Sequence, residues 1–139
     1  MRELYLYVDD SRIPLDSKWI VAKDYYEFTK ILDEKGLESF KIISLDHDLG
    51  DTAKEEFHTN VFINAILEYD NIIEKTGMDC AKYMIDMSMD SNVPLPKIFI
   101  HSANPIGAAN MMGIINRWLL FNDLPQNCVQ ARIPFTIVE

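Results

Sequence analysis

The chain has few of the residues and patterns that mark secreted or membrane proteins. It carries two cysteines, Cys80 and Cys128, far apart and without C-x-x-C spacing. That usage argues for two buried thiols in a reducing compartment, and so for a cytoplasmic protein. No apolar run approaches the ~20 residues of a membrane span. The N-terminus, MRELYLYVDD, lacks a basic stretch followed by an apolar one, so no signal peptide is expected. Positive charge is also scarce. Thirteen Lys and Arg face 22 Asp and Glu, a net charge of −9. Such a surface repels a nucleic-acid backbone and excludes bulk nonspecific coating of DNA or RNA. It does not exclude a small anionic ligand, because local donors or a bound metal can reverse the sign within one site. There is no internal repeat and no low-complexity tract. With 139 residues, 48% hydrophobic and 25% charged, the composition is that of one ordinary globular domain spanning 1–139.

What is present alternates between strand and helix patterns. Leu4 to Val8 is a short apolar run ended by Asp9 and Asp10, and it predicts a buried strand. Residues 11–17 have turn chemistry. Trp19 to Ala22 predicts a second strand, and Asp24 a cap for a helix through Tyr25, Phe28, Ile31 and Leu32, ended by Gly36. Phe40 to Leu45 is the third strand. Residues 51–60 are polar and acidic, and apolar residues then recur at helical spacing from Val61 to Ile73. A helix over Met78–Met89, a strand over 96–100, a long helix over Gly107–Asn122 and a last strand over Val129–Val138 complete the pattern. Pro134 marks that last strand as an edge. Strands alternating with helices predict an α/β fold with a mainly parallel five-stranded sheet. Only nine residues, 10–18, join the first two strands, too few for an ordinary parallel return, so the first helix is expected to be missing.

Three strands end in the same way, with apolar residues followed by acids, histidines or hydroxyls. Ligands of open α/β sheets bind outside the carboxyl ends of the strands, where the strand order switches. In a flavodoxin-like order, 2-1-3-4-5, strands one, three and four are neighbours. Asp9, Asp10, Asp46, His47, Asp48, His101, Ser102 and Asn104 then surround one crevice. Each cluster taken alone has a plain alternative. Asp9-Asp10 can cap a turn, residues 46–50 can be a solvated turn, and Asn104-Pro105 is a good helix N-cap. Three clusters at strand C-termini and none at N-termini favour a site. Converging carboxylates repel one another unless protonated or bound to a hard cation such as Mg²⁺. His47 and His101 could form an acid–base pair near neutral pH. The N-terminus of the helix near Pro105 and the guanidinium of Arg12 suit a phosphate.

At these residues the sequence resembles a known family. The Asp pair after strand one, an Asp after strand three and a Ser after strand four look like phospho-receiver domains of two-component signalling. The closer resemblance is to cyclic-phosphate-processing receiver domains. Their L-D-D-x-R-x-P, S-L-D-H-D-L-G, T-G and H-S-x-N-P-x-G motifs match Val8–Pro14, Ser44–Gly50, Thr76-Gly77 and His101–Gly107. The resemblance implies a receiver-like (CheY-like, Rossmannoid) fold and processing of cyclic phosphates on RNA ends or nucleotides. Two departures stand out. Receivers carry a Lys at the end of strand five, which residues 129–134 lack, and residues 51–75 look like an insertion.

The combined expectation is a phosphoesterase with His47, His101 and Asp46 as catalytic residues. Arg12, Ser102 and Asn104 would contact a nucleotide or RNA-end phosphate, and Asp9, Asp10, Asp46 and Asp48 would hold a divalent cation. The alternative is a degenerate receiver or nucleotide-binding module without catalysis.

Overall fold

The structure, a computed structural model, describes residues 1–137. Its elements in chain order are β1 (Leu4–Val8), β2 (Arg12–Pro14), β3 (Trp19–Ala22), α1 (Tyr25–Lys35), β4 (Phe40–Leu45), α2 (Asp51–Glu56), α3 (Phe62–Asn64), α4 (Gly77–Ser91), β5 (Lys97–Ile100), α5 (Pro105–Phe121), β6 (Val129–Gln130) and β7 (Phe135–Ile137). Five strands form a parallel sheet in the order β3-β1-β4-β5-β6. With β2 set aside this is the 2-1-3-4-5 order expected, and the fold is flavodoxin-like. Between β1 and β3 there is no helix, only a loop containing β2, which pairs antiparallel with β7.

The missing helix shapes the layering. The connections through α1, α4 and α5 all step the same way across the sheet, and right-handed crossovers in one direction put their helices on one face. Leu6, Val8, Ile43, Leu45, Ile98 and Ile100, alternate residues of three central strands, meet Phe28, Leu32, Met84, Met111 and Ile115 there in one core. The opposite face carries Tyr7 and Ser44, both fully buried.

Each long helix is capped by the residue its motif supplies. The Asp24 side chain accepts from Glu27 N at 2.8 Å, Thr76 forms a capping box with Asp79, and Asn104 Oδ1 accepts from Gly107 N at 3.0 Å. No helix among the described residues is long and apolar enough to cross a membrane. Both cysteines are buried and unpaired.

Three expectations need correction. The apolar spacing from Val61 to Ile73 does not make a helix. The helical segment ends at Asn64, Ala65 turns left-handed at φ 57°, and Tyr69–Asn71 is a single 3₁₀ turn. Phe62, Ile63, Ile66 and Ile73 are exposed, so the pattern never gained a core to face. Residues 51–56, which have no apolar stripe, are helical instead, because carboxylates collect the loose donors. Buried Glu56 accepts from Asn60 Nδ2, Glu68 N and Asn71 Nδ2 at 2.8–2.9 Å, and Glu74 accepts from Ala53 N at 2.6 Å and from Thr52 Oγ1. The expected strand over 129–138 is two pieces, β6 and β7, with Pro134 between them, and Val138 lies outside the described residues. Arg12, placed in a loop by its turn-rich surroundings, is the first residue of β2.

Two glycines let the helices close onto the loops after β4. A Cβ at Gly77 would strike the backbone carbonyl of Asp46 and the Met111 sulfur, and one at Gly107 would strike the His47 ring. Gly113, in α5, has nothing within 4 Å of the same position. Gly77→Ala is expected to destabilise the fold by about 3 kcal/mol, since a backbone atom cannot move aside as a side chain does. Gly113→Ala should stabilise it by up to ~1 kcal/mol through helix propensity. Chemical denaturation of the two variants checks the contrast; equal stabilities would show that the close approach of α4 to Asp46 is relaxed.

Candidate functional site

The sheet's hydrogen bonding continues one residue past each strand, and this holds the first polar residue of each loop. Asp9 N donates to Ala22 O at 3.0 Å, Asp46 N to Val8 O at 2.9 Å and His101 N to Leu45 O at 2.9 Å. Asp9, Asp46 and His101 therefore stand side by side at the C-terminal edge of β1, β4 and β5. All three are nearly buried, at 1%, 5% and 8% exposure. Carboxylate oxygens of Asp9, Asp10 and Asp46 lie within 4.8 Å of one another.

Asp9 is held on all sides. Its Oδ1 accepts from the backbone N of Ser11 and Arg12, both at 2.9 Å, and its Oδ2 from Arg12 Nε at 2.7 Å and His101 Nε2 at 3.1 Å. Burial works to raise its pKa, but these hydrogen bonds and the Arg12 charge bring it below the usual carboxylate range. Asp46 is the opposite case. Burial first, then the charge of Asp9, push its pKa up to about 7, against the pull of Arg12 and a hydrogen bond with Ser102. Arg12 bridges the two acids, with Nη2 3.2 Å from Asp46 Oδ2. Its guanidinium also lies 5.3 Å from the Phe135 ring centroid, so the β2–β7 ribbon backs it.

His101 is stacked on Tyr7 at 4.1 Å and its Nδ1 lies 2.7 Å from Ser44 Oγ. Burial lowers its pKa despite the pull of Asp9. The neutral ring that results donates from Nε2 to Asp9 and accepts at Nδ1 from Ser44. Both nitrogens are thus engaged within the protein. His47 is enclosed further still, fully buried, with Nδ1 2.7 Å from Asp48 Oδ1 and Nε2 3.0 Å from Tyr69 Oη. Neither histidine of the expected proton-transferring pair therefore has a free ring nitrogen.

Two other expected residues fall behind the crevice. Asp48 stands apart from the carboxylate group, since its Oδ1 serves His47 and accepts from Asn104 Nδ2 at 3.3 Å. Asn104 is fully buried, with its amide bonded to Asp48 and to Gly107 N at the start of α5. Ser102 remains at the crevice, partly exposed, with Oγ also accepting from Asn104 N at 3.1 Å.

One residue at the crevice escaped the reading of the motifs. Lys54, on α2, places Nζ 2.5 Å from Asp10 Oδ2. The strand-five lysine of receivers is absent, yet a lysine reaches the acids from another element. Its signal was its isolation, for it is the sole Lys or Arg between Lys41 and Lys75.

The other oxygen of Asp10 has a different status. Among the described residues, two buried side-chain atoms lack a hydrogen-bond partner, Asp10 Oδ1 and Tyr7 Oη. A buried, unpartnered carboxylate oxygen beside two further carboxylates is a donor set suited to a hard divalent cation.

The family model for the cyclic-phosphate processing receiver domain matches residues 4–117, most of the chain. The chain belongs to this family. No curated protein and no solved structure matches it. The matched span of this cyclic-phosphate processing receiver domain includes every crevice residue named above, from Asp9 to Ser102.

Proposed function

We propose that the chain is a phosphoesterase that opens a cyclic phosphate on an RNA end or nucleotide. Asp9, Asp10 and Asp46 would hold a divalent cation such as Mg²⁺. The observation that carries this reading is the convergence of three carboxylates, one of which, Asp10, keeps a buried oxygen without a partner. In the reaction, water adds to phosphorus, one ring P–O bond breaks, and the departing alkoxide takes the proton, leaving a phosphomonoester. When bound, the cation would supply Lewis-acid polarisation of the phosphoryl group.

The chain's own residues orient and stabilise. Arg12 keeps its Nε and Nη2 on Asp9 and Asp46, which leaves the Nη1 edge for a phosphate oxygen. The Ser102 hydroxyl at the end of β5 offers a second contact. His101, neutral and donating to Asp9, keeps that carboxylate ionised and turned toward the crevice. His47, Asp48 and Asn104 tie the loop after β4 to the start of α5. In this reading the histidines position the acids rather than carry protons.

Turnover of 2′,3′-cyclic nucleotides and of RNA ending in a cyclic phosphate, with and without Mg²⁺, tests the proposal. Release of a phosphomonoester only with the divalent cation is expected. Absence of turnover with every divalent cation tried would leave the chain a nucleotide-binding module.

A further inference from the structure

We propose that Lys54 is a substrate-binding residue, which covers Asp10 in the metal-free protein and turns to a phosphate oxygen once the carboxylates are neutralised. The inference rests on the function proposed above and adds a residue that none of the family's motifs contains.

The two cations of the crevice divide the acids between them. Arg12 takes Asp9 and Asp46, and Lys54 takes Asp10. Arg12 is anchored by two carboxylates and an aromatic ring, with 15% of its side chain exposed. Lys54 holds one carboxylate oxygen, and 40% of its side chain faces solvent. A lysine on a flexible stem with one partner can change partners at little cost, whereas the two-point arginine cannot.

Its backbone, by contrast, is fixed. Lys54 N donates to Gly50 O at 3.2 Å, and Ala53 N just before it is clamped by Glu74, which leads into α4. The base of the side chain stays in place while the ammonium group can swing.

Charge balance gives the swing a direction. With all three carboxylates ionised, as binding of a divalent cation requires, they leave one net negative charge with Arg12 and Lys54. A divalent cation turns that into one net positive charge. A cyclic phosphodiester carries a single negative charge and neutralises it, whereas the phosphomonoester product carries nearly two at neutral pH. With Lys54 present the loaded crevice matches the substrate and not the product; without it, the match is lost.

The test compares wild type, Lys54→Met and Lys54→Arg for Mn²⁺ affinity by calorimetry and for KM on a 2′,3′-cyclic nucleotide. Lys54→Met should bind Mn²⁺ roughly tenfold more tightly, because the competing ion pair is gone, and show a KM raised roughly tenfold or more. Lys54→Arg should lie between the two on both measures. A merely structural role would weaken both affinities together, and that result would overturn the inference. Unchanged KM in Lys54→Met with normal wild-type turnover would overturn it while leaving the proposed function standing. A wild type that binds Mn²⁺ yet neither binds nor turns over the cyclic nucleotide would overturn both.

Discussion

Asp46→Asn and Asp9→Ala should each abolish divalent-cation binding and lower turnover roughly 10³-fold or more, the range of losing a principal electrostatic group or metal ligand. His101→Gln should cost less, roughly 10- to 100-fold, as expected for a partner that orients a ligand from behind. The ordering follows from where the atoms are. Carboxylate oxygens of Asp9 and Asp46 lie within 4.8 Å of each other, whereas both nitrogens of His101 are already taken by Asp9 and Ser44. Calorimetry with Mn²⁺ and steady-state kinetics on one cyclic nucleotide separate the two effects. If His101→Gln instead lost 10²–10⁴-fold and removed one limb of a bell-shaped pH profile while Asp46→Asn stayed active, histidine acid–base chemistry would return as the mechanism.

Without divalent cations, Asp46→Asn should be more stable than wild type at pH 8, and the advantage should shrink by about 3 kcal/mol at pH 5. The folded-state pKa of Asp46 is raised to about 7 by burial and by Asp9, above the usual 3.8. Between those values the native protein holds a proton that the unfolded chain has released, so the Asp46 contribution falls as pH rises through the window. Each unit is worth about 1.4 kcal/mol, and two of them lie between pH 5 and the folded pKa. His101 works the other way. Its pKa is lowered by burial, so acid favours the unfolded chain and its contribution grows as pH rises toward its ordinary value. The Asn variant retains the pH dependence due to His101 and loses that due to Asp46, which isolates the latter. Mg²⁺ should reverse the order at pH 8, stabilising wild type and leaving Asp46→Asn unmoved. Denaturant titrations at both pH values, with and without Mg²⁺, give the four numbers needed; parallel pH profiles for the two proteins would refute the strained Asp46.

Much of the fold could be read from the residues because its signals are local. The apolar runs 4–8, 19–22, 40–45 and 97–100 each end in polar residues, and each became a strand of the parallel sheet. Asp24, Thr76 and Asn104 cap helices with their own side chains, an interaction spanning two or three residues that needs no tertiary context. The short link between the first two strands excluded a helix by length alone. Where the sequence misled, the deciding partner was far away. Val61 to Ile73 has helical spacing, but the core was filled by α1, α4 and α5, and the segment was organised by the buried carboxylate of Glu56 instead.

The same division runs through the site. Strand ends and strand order together brought Asp9, Asp46 and His101 to one edge, and both are visible in the sequence as pattern and topology. Which of the polar residues face the crevice and which stand behind it depended on side-chain direction in three-dimensional packing. Gly107 closes α5 onto the His47 ring and buries it with Asp48 and Asn104, so three residues of two motifs became a support. Lys54, outside every motif, reached Asp10 because Glu74 clamps the first turn of α2. Local chemistry determined the strands, the caps and the acidic character of the edge; only the tertiary structure decided who touches whom there, because hydrogen-bond partners 21 to 92 residues apart meet through packing that no local pattern encodes.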